Sequence, residues 1–413
     1  MTPLLYGRRT DVDLRELHDF LRQYLLDDIM PFWERHGFTS ARPGIDTCLA
    51  DDGTLLSEDR YLWSQLRAIW TYSALHNRIE PRPEWLAHAR DIFAFVATHG
   101  RDADGHWCFA VTPAGRIVTG ATSIYADGFA ILGLAEYYRA SGDPHALALA
   151  LATFEQVLPR LDRWGELATA PYAIPPGMKA HGVSMIFSHV FDALAAVTPD
   201  PRVARAAAHH CHEVMDHYLR PDTGLVHEYV NLDNTLADTP AGRTVVPGHA
   251  IESMWMQIHQ LRQRDDAARI ARAVTAIRRH FEFGWDAEYG GLLLGRDARG
   301  QEPVYWKFHD SKVWWPATEA LYALLLAHTL CGEPWYLAQY RRIHDYAFTH
   351  YPCAAHGEWR QRLDRQGRPI SDVVALPVKD PFHLPRALIL CINLLEPRGA
   401  CCAPGLAAAP ARG

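Results

Sequence analysis

Pro247–Leu261 reads PGHAIESMWMQIHQL, and Asp265–Phe281, after a short break, reads DDAARIARAVTAIRRHF. The first carries small and aromatic residues nearly all round a helical wheel, so a helix made from it has to be buried on almost every side. The second keeps a charged face and belongs outside whatever encloses the first. Pro247 suits a first helical position, where a missing N–H removes no hydrogen bond. His249 then falls in the first turn, with Glu252 three residues on over the same face. The positive end of the helix dipole there disfavours an imidazolium and favours a neutral ring ready to accept a proton. A capping or packing role fits that position equally well on this motif alone.

The same pairing recurs outward in both directions. Helical spacing begins at Asp11, in a stretch that ends at Met30 before Pro31, and continues to Leu395 as alternating inner-type and outer-type segments. Long connections precede the inner-type segments, which start near Glu58, Ser123, Lys179, Pro247, Ser311 and Pro381, with Ser57 read as an N-cap for the first of them. Their spacing of roughly sixty to seventy residues marks stacked supersecondary units. Six inner and six outer helices closed into a ring make an all-α fold, an (α/α)6 barrel. It occupies residues 1–397 as a single catalytic domain, with an Ala-, Pro- and Gly-rich tail over 398–413. The long loops open over the starts of the inner helices, and the active site is expected there.

Composition narrows the function. With 48% hydrophobic and 22% charged residues over 413 positions, the chain has ample material for a large core. A net charge of -7 supplies no basic stripe, which argues against nucleic acid and anionic membrane as partners. No apolar run reaches a bilayer-spanning length, and the first residues lack the apolar core of a signal peptide, so a cytoplasmic location is expected. The eight cysteines form no CxxC pair and read as reduced thiols. Phosphate-loop and GxSxG motifs are absent.

On the first inner helix, Trp63, Arg67 and Trp70 follow i, i+4, i+7 spacing, which aligns a guanidinium with two indoles. The densest signal lies in VYWKFHDSKVWWPATEALYALL, residues 304–325. Trp306, Trp314 and Trp315 beside Lys312, Asp310 and Glu319 suggest an apolar floor with polar edges, the combination that stacks on sugar C–H faces and binds hydroxyls; a Trp-rich core is the other reading. His383, in DPFHLPRAL, has the same helix-start setting as His249. The motif HEVMDH, His212–His217, places its histidines five apart instead of the four a zinc helix needs, which on an α-helix turns the second ring away; no metal is expected.

Seven motifs in order resemble the N-acylglucosamine 2-epimerase family of sugar epimerases and isomerases: SEDRYLWSQLRAIW (57–70), SIYADGFA (123–130), PGHAIESMW (247–255), GWDAEYGGL (284–292), SKVWWPATEAL (311–321), HGEW (356–359) and PFHLPRAL (381–388). The resemblance implies an (α/α)6 barrel and a sugar 2-epimerase working through an enediolate, with aldose–ketose isomerisation of the mannose isomerase type as the alternative. It implies His249 and His383 as the acid/base pair, Arg67 near the carbonyl oxygen and Glu319 as the essential glutamate. Glu252 would assist His249, and His189, Tyr125, Lys312, Trp314, Trp315 and Trp359 would contact the sugar. No cofactor is required, the partner is a small-molecule sugar, and a homodimer is left open. VKDPFHLPR (378–386) lacks the longer insertion of the acylglucosamine enzymes, which removes the basis for extending their nucleotide effector or acetamido specificity to this chain.

Overall fold

The computed structural model describes residues 13–371 and 377–396; the proposed tail, 398–413, lies outside the described residues. The first helix, α1, opens at Leu14–Tyr24, where the Asp13 side chain accepts hydrogen bonds from the N–H groups of Arg15 and Glu16. It does not stop before Pro31. A π-turn over Leu25–Ile29, in which the Met30 N–H reaches back to the Leu25 carbonyl, leads into Met30–His36. The wider turn passes the chain through a proline position where an α-helical hydrogen bond cannot form.

Among the described residues, eleven further α-helices follow: α2 (Leu62–Arg78), α3 (Pro83–His99), α4 (Ile124–Ser141), α5 (Pro144–Val157), α6 (His181–Ala195), α7 (Pro201–His212), α8 (Pro247–Arg262), α9 (Ala267–Gly284), α10 (Trp314–Cys331), α11 (Pro334–His350) and α12 (His383–Leu395). The even-numbered helices touch one another in sequence and α12 returns to α2, closing an inner ring. Each odd-numbered helix packs outside, with α1 covering α12. This is the (α/α)6 barrel expected from the helix rhythm. The α2–α4 seam shows why small residues recur in inner helices: a Cβ on Gly133 would lie 2.3 Å from the Leu66 carbonyl oxygen.

Inner and outer helices begin differently. Asp13, Asp143, Asp200 and Asp266 cap outer helices with their side chains. None of the six inner starts has a side-chain cap. Four of them are led in by short strands. β1 (Arg60–Tyr61) joins β2 (Ala110–Val111) and β3 (Ile117–Thr119). β4 (Met178–Ala180) pairs with β5 (Tyr229–Asn231), β6 (Thr244–Val245) with β7 (Arg296–Asp297), and β8 (Lys312–Val313) with β9 (Arg362–Leu363). Strand β1 is why Ser57 is not the cap of α2: its hydroxyl accepts from the Asp59 N–H in a turn, and the helix begins only at Leu62. The uncapped inner ends gather the positive poles of several helix dipoles at one mouth of the barrel. Among the described residues, no helix is long and apolar enough to cross a membrane.

Candidate active site

A cavity open to solvent lies at that mouth. Every inner helix contributes from its first two turns: Arg67 from α2, Tyr125 from α4, Met185 from α6, His249 from α8, Trp315 from α10 and His383 from α12. Trp306 and Trp314 also line it. The wall is aromatic and aliphatic, with a few convergent polar groups, as a sugar site requires.

His249 and His383 both lie beside Trp315, with ring centroids 4.9 and 5.9 Å from its indole. Each is fixed from behind by a carboxylate. Since a carboxylate only accepts, the His249 Nδ1–H donates to Glu228 Oε2 at 3.1 Å and the His383 Nδ1–H donates to Glu319 Oε1 at 2.8 Å. With both Nδ1 atoms committed, Nε2 is the ring atom available for proton transfer.

Their proton affinities differ. Burial alone would lower the pKa of His249, but the charge and hydrogen bond of Glu228, then Glu252 and Glu319, outweigh it and raise it above the ordinary histidine value. Burial likewise pushes Glu228 up, yet His249 and His181 hold it down at about 2. The shift runs opposite to the one expected from the helix end: a full carboxylate at 3.1 Å outweighs the partial charge there. His383 is the neutral ring, held well below the ordinary value by burial and then by the charge of Arg67.

Glu228 carried no recognised sequence signal. It immediately precedes β5, its carbonyl accepts from the His181 N–H, and its own N–H donates to the Thr244 carbonyl. Backbone bonds at the starts of α6 and α8 thus place a loop carboxylate between two inner helices. Glu252 lines the cavity but does not bond His249; it accepts from Arg386. Glu319 lies beneath the wall and accepts from Trp255 Nε1 at 2.9 Å, Arg386 Nη2 at 2.8 Å and His383. Glu252, Glu319 and His383 converge closely enough to hold a cation, and the Arg386 guanidinium already stands among them.

Arg67 stacks on Trp63, Phe129 and Phe382 at 3.9–4.8 Å and is held by Asp380 at 2.8 Å. Trp70, expected on the same face, instead packs against Phe382 and Arg78. Three residues expected to contact the sugar lie away from the cavity wall. His189 lies a turn deeper than Met185, edge-on to Trp255 at 5.4 Å. Lys312 is buried against Asp286 at 3.0 Å, bracing the antiparallel β8–β9 pair. Trp359 is buried, stacked on Tyr351, with its Nε1–H donating to Tyr24 in α1. The neighbouring Glu358 accepts from Trp33, so HGEW ties a loop to the outer helix.

The π-turn Glu213–Tyr218 also changes the ring geometry expected of HEVMDH. Its wider pitch brings the His212 and His217 rings to 5.2 Å, and Asp216 and Glu213 take their nitrogens.

Gly248 lets α8 approach Trp315 closely: a Cβ there would come within 2.5 Å of the indole and 2.8 Å of Pro316. Gly248→Ala is expected to push Trp315 off His249 and to lower kcat/KM by about 10- to 100-fold with the fold retained, as checked by steady-state kinetics and circular dichroism.

Residues 44–387 match the family model described as N-acylglucosamine 2-epimerase (GlcNAc 2-epimerase). The chain is 28% identical over 382 residues to the N-acylglucosamine 2-epimerase of Bos taurus, covering 90% of this chain and 89% of that one. It is 25% identical over 395 residues to the cellobiose 2-epimerase of Ruminococcus albus, covering 88% and 95%. The solved cellobiose 2-epimerase from Spirochaeta thermophila DSM 6192 superposes with a TM-score of 0.79 at 23% identity, covering 93% of this chain and 97% of that one, a likeness of fold.

Proposed function

The chain belongs to the N-acylglucosamine 2-epimerase family, and on that premise we propose that it interconverts the C2 epimers of a reducing hexose or N-acylhexosamine through an enediolate, with His249 and His383 as its two proton-transfer groups. It is a carbohydrate epimerase, an isomerase by reaction class. The observation that carries the reading is the pair of imidazoles beside Trp315, each presenting Nε2 and each backed by its own carboxylate.

Ring opening exposes an aldehyde at C1 and acidifies the neighbouring C2–H. One imidazole Nε2 takes that proton. The electron pair moves into the C1–C2 bond, leaving negative charge on the former carbonyl oxygen. Arg67 and Arg362 are the guanidinium groups of the wall, with Arg67 on an inner helix, and the uncapped inner helix ends add positive potential to the same mouth. The Nε2–H of the other imidazole returns a proton to the opposite face of C2, and ring closure gives the epimer. Nothing in these steps calls for a redox group or a metal. Glu319 acts through His383, as a positioning residue.

The cavity carboxylates suit this chemistry better than glycoside hydrolysis. Glu228, Glu252 and Asp380 are each engaged by a basic group, His249 with His181, Arg386, and Arg67 respectively, while Glu319 and Glu358 are not in the wall. A panel of N-acetylglucosamine, N-acetylmannosamine, glucose, mannose and cellobiose, followed by chromatography, tests the proposal. The expected product is a C2 epimer, formed at a rate unaffected by ATP. Accumulation of a ketose would assign the site to aldose–ketose isomerisation, and release of a monosaccharide from cellobiose would assign it to hydrolysis.

A further inference from the structure

One turnover of a two-base epimerase leaves its acid deprotonated and its base protonated. The form favoured at rest therefore decides which histidine meets a substrate as base, and the two rings stand in unlike surroundings. Glu228, the partner of His249, is buried, and among the described residues its side-chain partners are imidazoles: His249 at 3.1 Å and His181 at 3.7 Å. Glu319, the partner of His383, gives much of its charge to Arg386 at 2.8 Å and accepts a further hydrogen bond from Trp255.

We infer that Glu228 is a positioning residue that keeps the resting proton on His249, so that the enzyme at rest holds His249 as the acid and His383 as the base. This rests on the two-base reading given above. The other groups facing His249 are Glu252 on its own helix, Glu319 from α10, His181 from α6 and His383 from α12. The first two are already bound to Arg386, and both histidines oppose a charge on His249. Facing His383 are Arg67 from α2, Arg386 on its own helix, and Glu252 and His249 from α8, with Glu319 at its Nδ1. Two guanidinium groups thus oppose a proton on His383, whereas His249 has an anion without a guanidinium or ammonium partner among the described residues. The directions of the pKa shifts agree: His249 upward and His383 downward.

In this arrangement a sugar whose C2–H faces His383 reacts with the resting form. The opposite epimer requires the form with the proton moved across. Both forms carry the same number of protons, so kcat/KM in the two directions shares one pH profile, whose alkaline limb follows loss of the His249 proton.

Glu228→Gln keeps a carbonyl oxygen for the His249 Nδ1–H and removes only the charge. The alkaline limb should then move to lower pH, with kcat/KM above the limb falling about tenfold for each pH unit moved. The loss should be equal in both directions, since the equilibrium constant fixes their ratio, and within about threefold below the limb. A limb that stays in place, or a loss of equal size at every pH, overturns the inference.

A second measurement does not depend on Glu228→Gln folding. In wild-type protein with 15N-labelled histidines at pH 7, the NMR signals lost in His249→Asn should be those of an imidazolium, and the signals lost in His383→Asn those of a neutral ring. The reverse assignment, or a neutral His249, overturns the inference. Failure of the epimerase reading itself would look different: wild type would exchange no C2 proton on any sugar, whatever the charge on His249.

Discussion

His383→Asn should lower the epimerisation rate by about 10²- to 10⁴-fold, the usual contribution of a positioned acid–base group, and yet leave half of the chemistry intact. Asparagine fits the space of the ring but cannot shuttle a proton from Nε2. His249, still held by Glu228 and stacked on Trp315, remains able to remove and return a proton on its own face of C2. In heavy water the variant should therefore exchange the C2 proton of one epimer without converting it. His249→Asn should do the same with the other epimer, through His383. The double variant should lose both exchanges. Proton NMR of each purified epimer reads this directly. Exchange of the same epimer by both single variants, or full epimerisation by either one, would be incompatible with two bases on opposite faces.

Arg386→Met is the substitution expected to cost most in stability. Arg386 is 1% exposed, and its guanidinium joins Glu252 to Glu319 beneath the cavity. Removing it leaves two buried carboxylates facing each other without a cation. Breaking a buried ion pair from one side destabilises by about 3–5 kcal/mol, much of it from the charge left behind. Urea unfolding measures the loss. Adding Glu252→Gln should recover part of it, because one of the stranded charges is gone. Activity at neutral pH should fall as well. Without Arg386, Glu319 directs its whole charge at His383, whose affinity for a proton rises until the ring is no longer free to act as base. A change below about 1 kcal/mol would place the network outside the stabilising core of the barrel.

The barrel was legible because its signal is periodic. Inner segments such as Pro247–Leu261 are apolar all round and their partners are charged on one face, so chain order alone assigns the two rings. The starts expected near Ser123, Lys179, Pro247, Ser311 and Pro381 fall within three residues of α4, α6, α8, α10 and α12. Local backbone variation was not legible. The π-turns over Leu25–Ile29 and Glu213–Tyr218 shift the phase of a helix without a compositional mark, which is why α1 passes Pro31 and why His212 meets His217.

In the site, helix-start residues announced themselves, and a partner brought in by tertiary structure did not. Glu228 reaches His249 from a strand edge twenty-one positions earlier, a separation with no helical or strand period. Glu252, three residues along the same helix, drew the assignment by proximity in sequence, while its carboxylate turns to Arg386. Lys312 and Trp359 show the complementary limit. A cluster of aromatic and charged residues marks a packed region, but only the three-dimensional arrangement says which side of it faces the cavity. Here Lys312 serves Asp286 and Trp359 serves Tyr24.

The measurement that bears most directly on two-base epimerisation is an early time point of the wild-type reaction in heavy water, with substrate and product separated and read by NMR. The expected result is product carrying one deuterium at C2, with the remaining substrate still protiated there, since the proton is removed by one imidazole and replaced from another. Deuterium appearing equally in both epimers would point to a single base, and deuterium at C1 of a ketose to isomerisation; either would contradict the account.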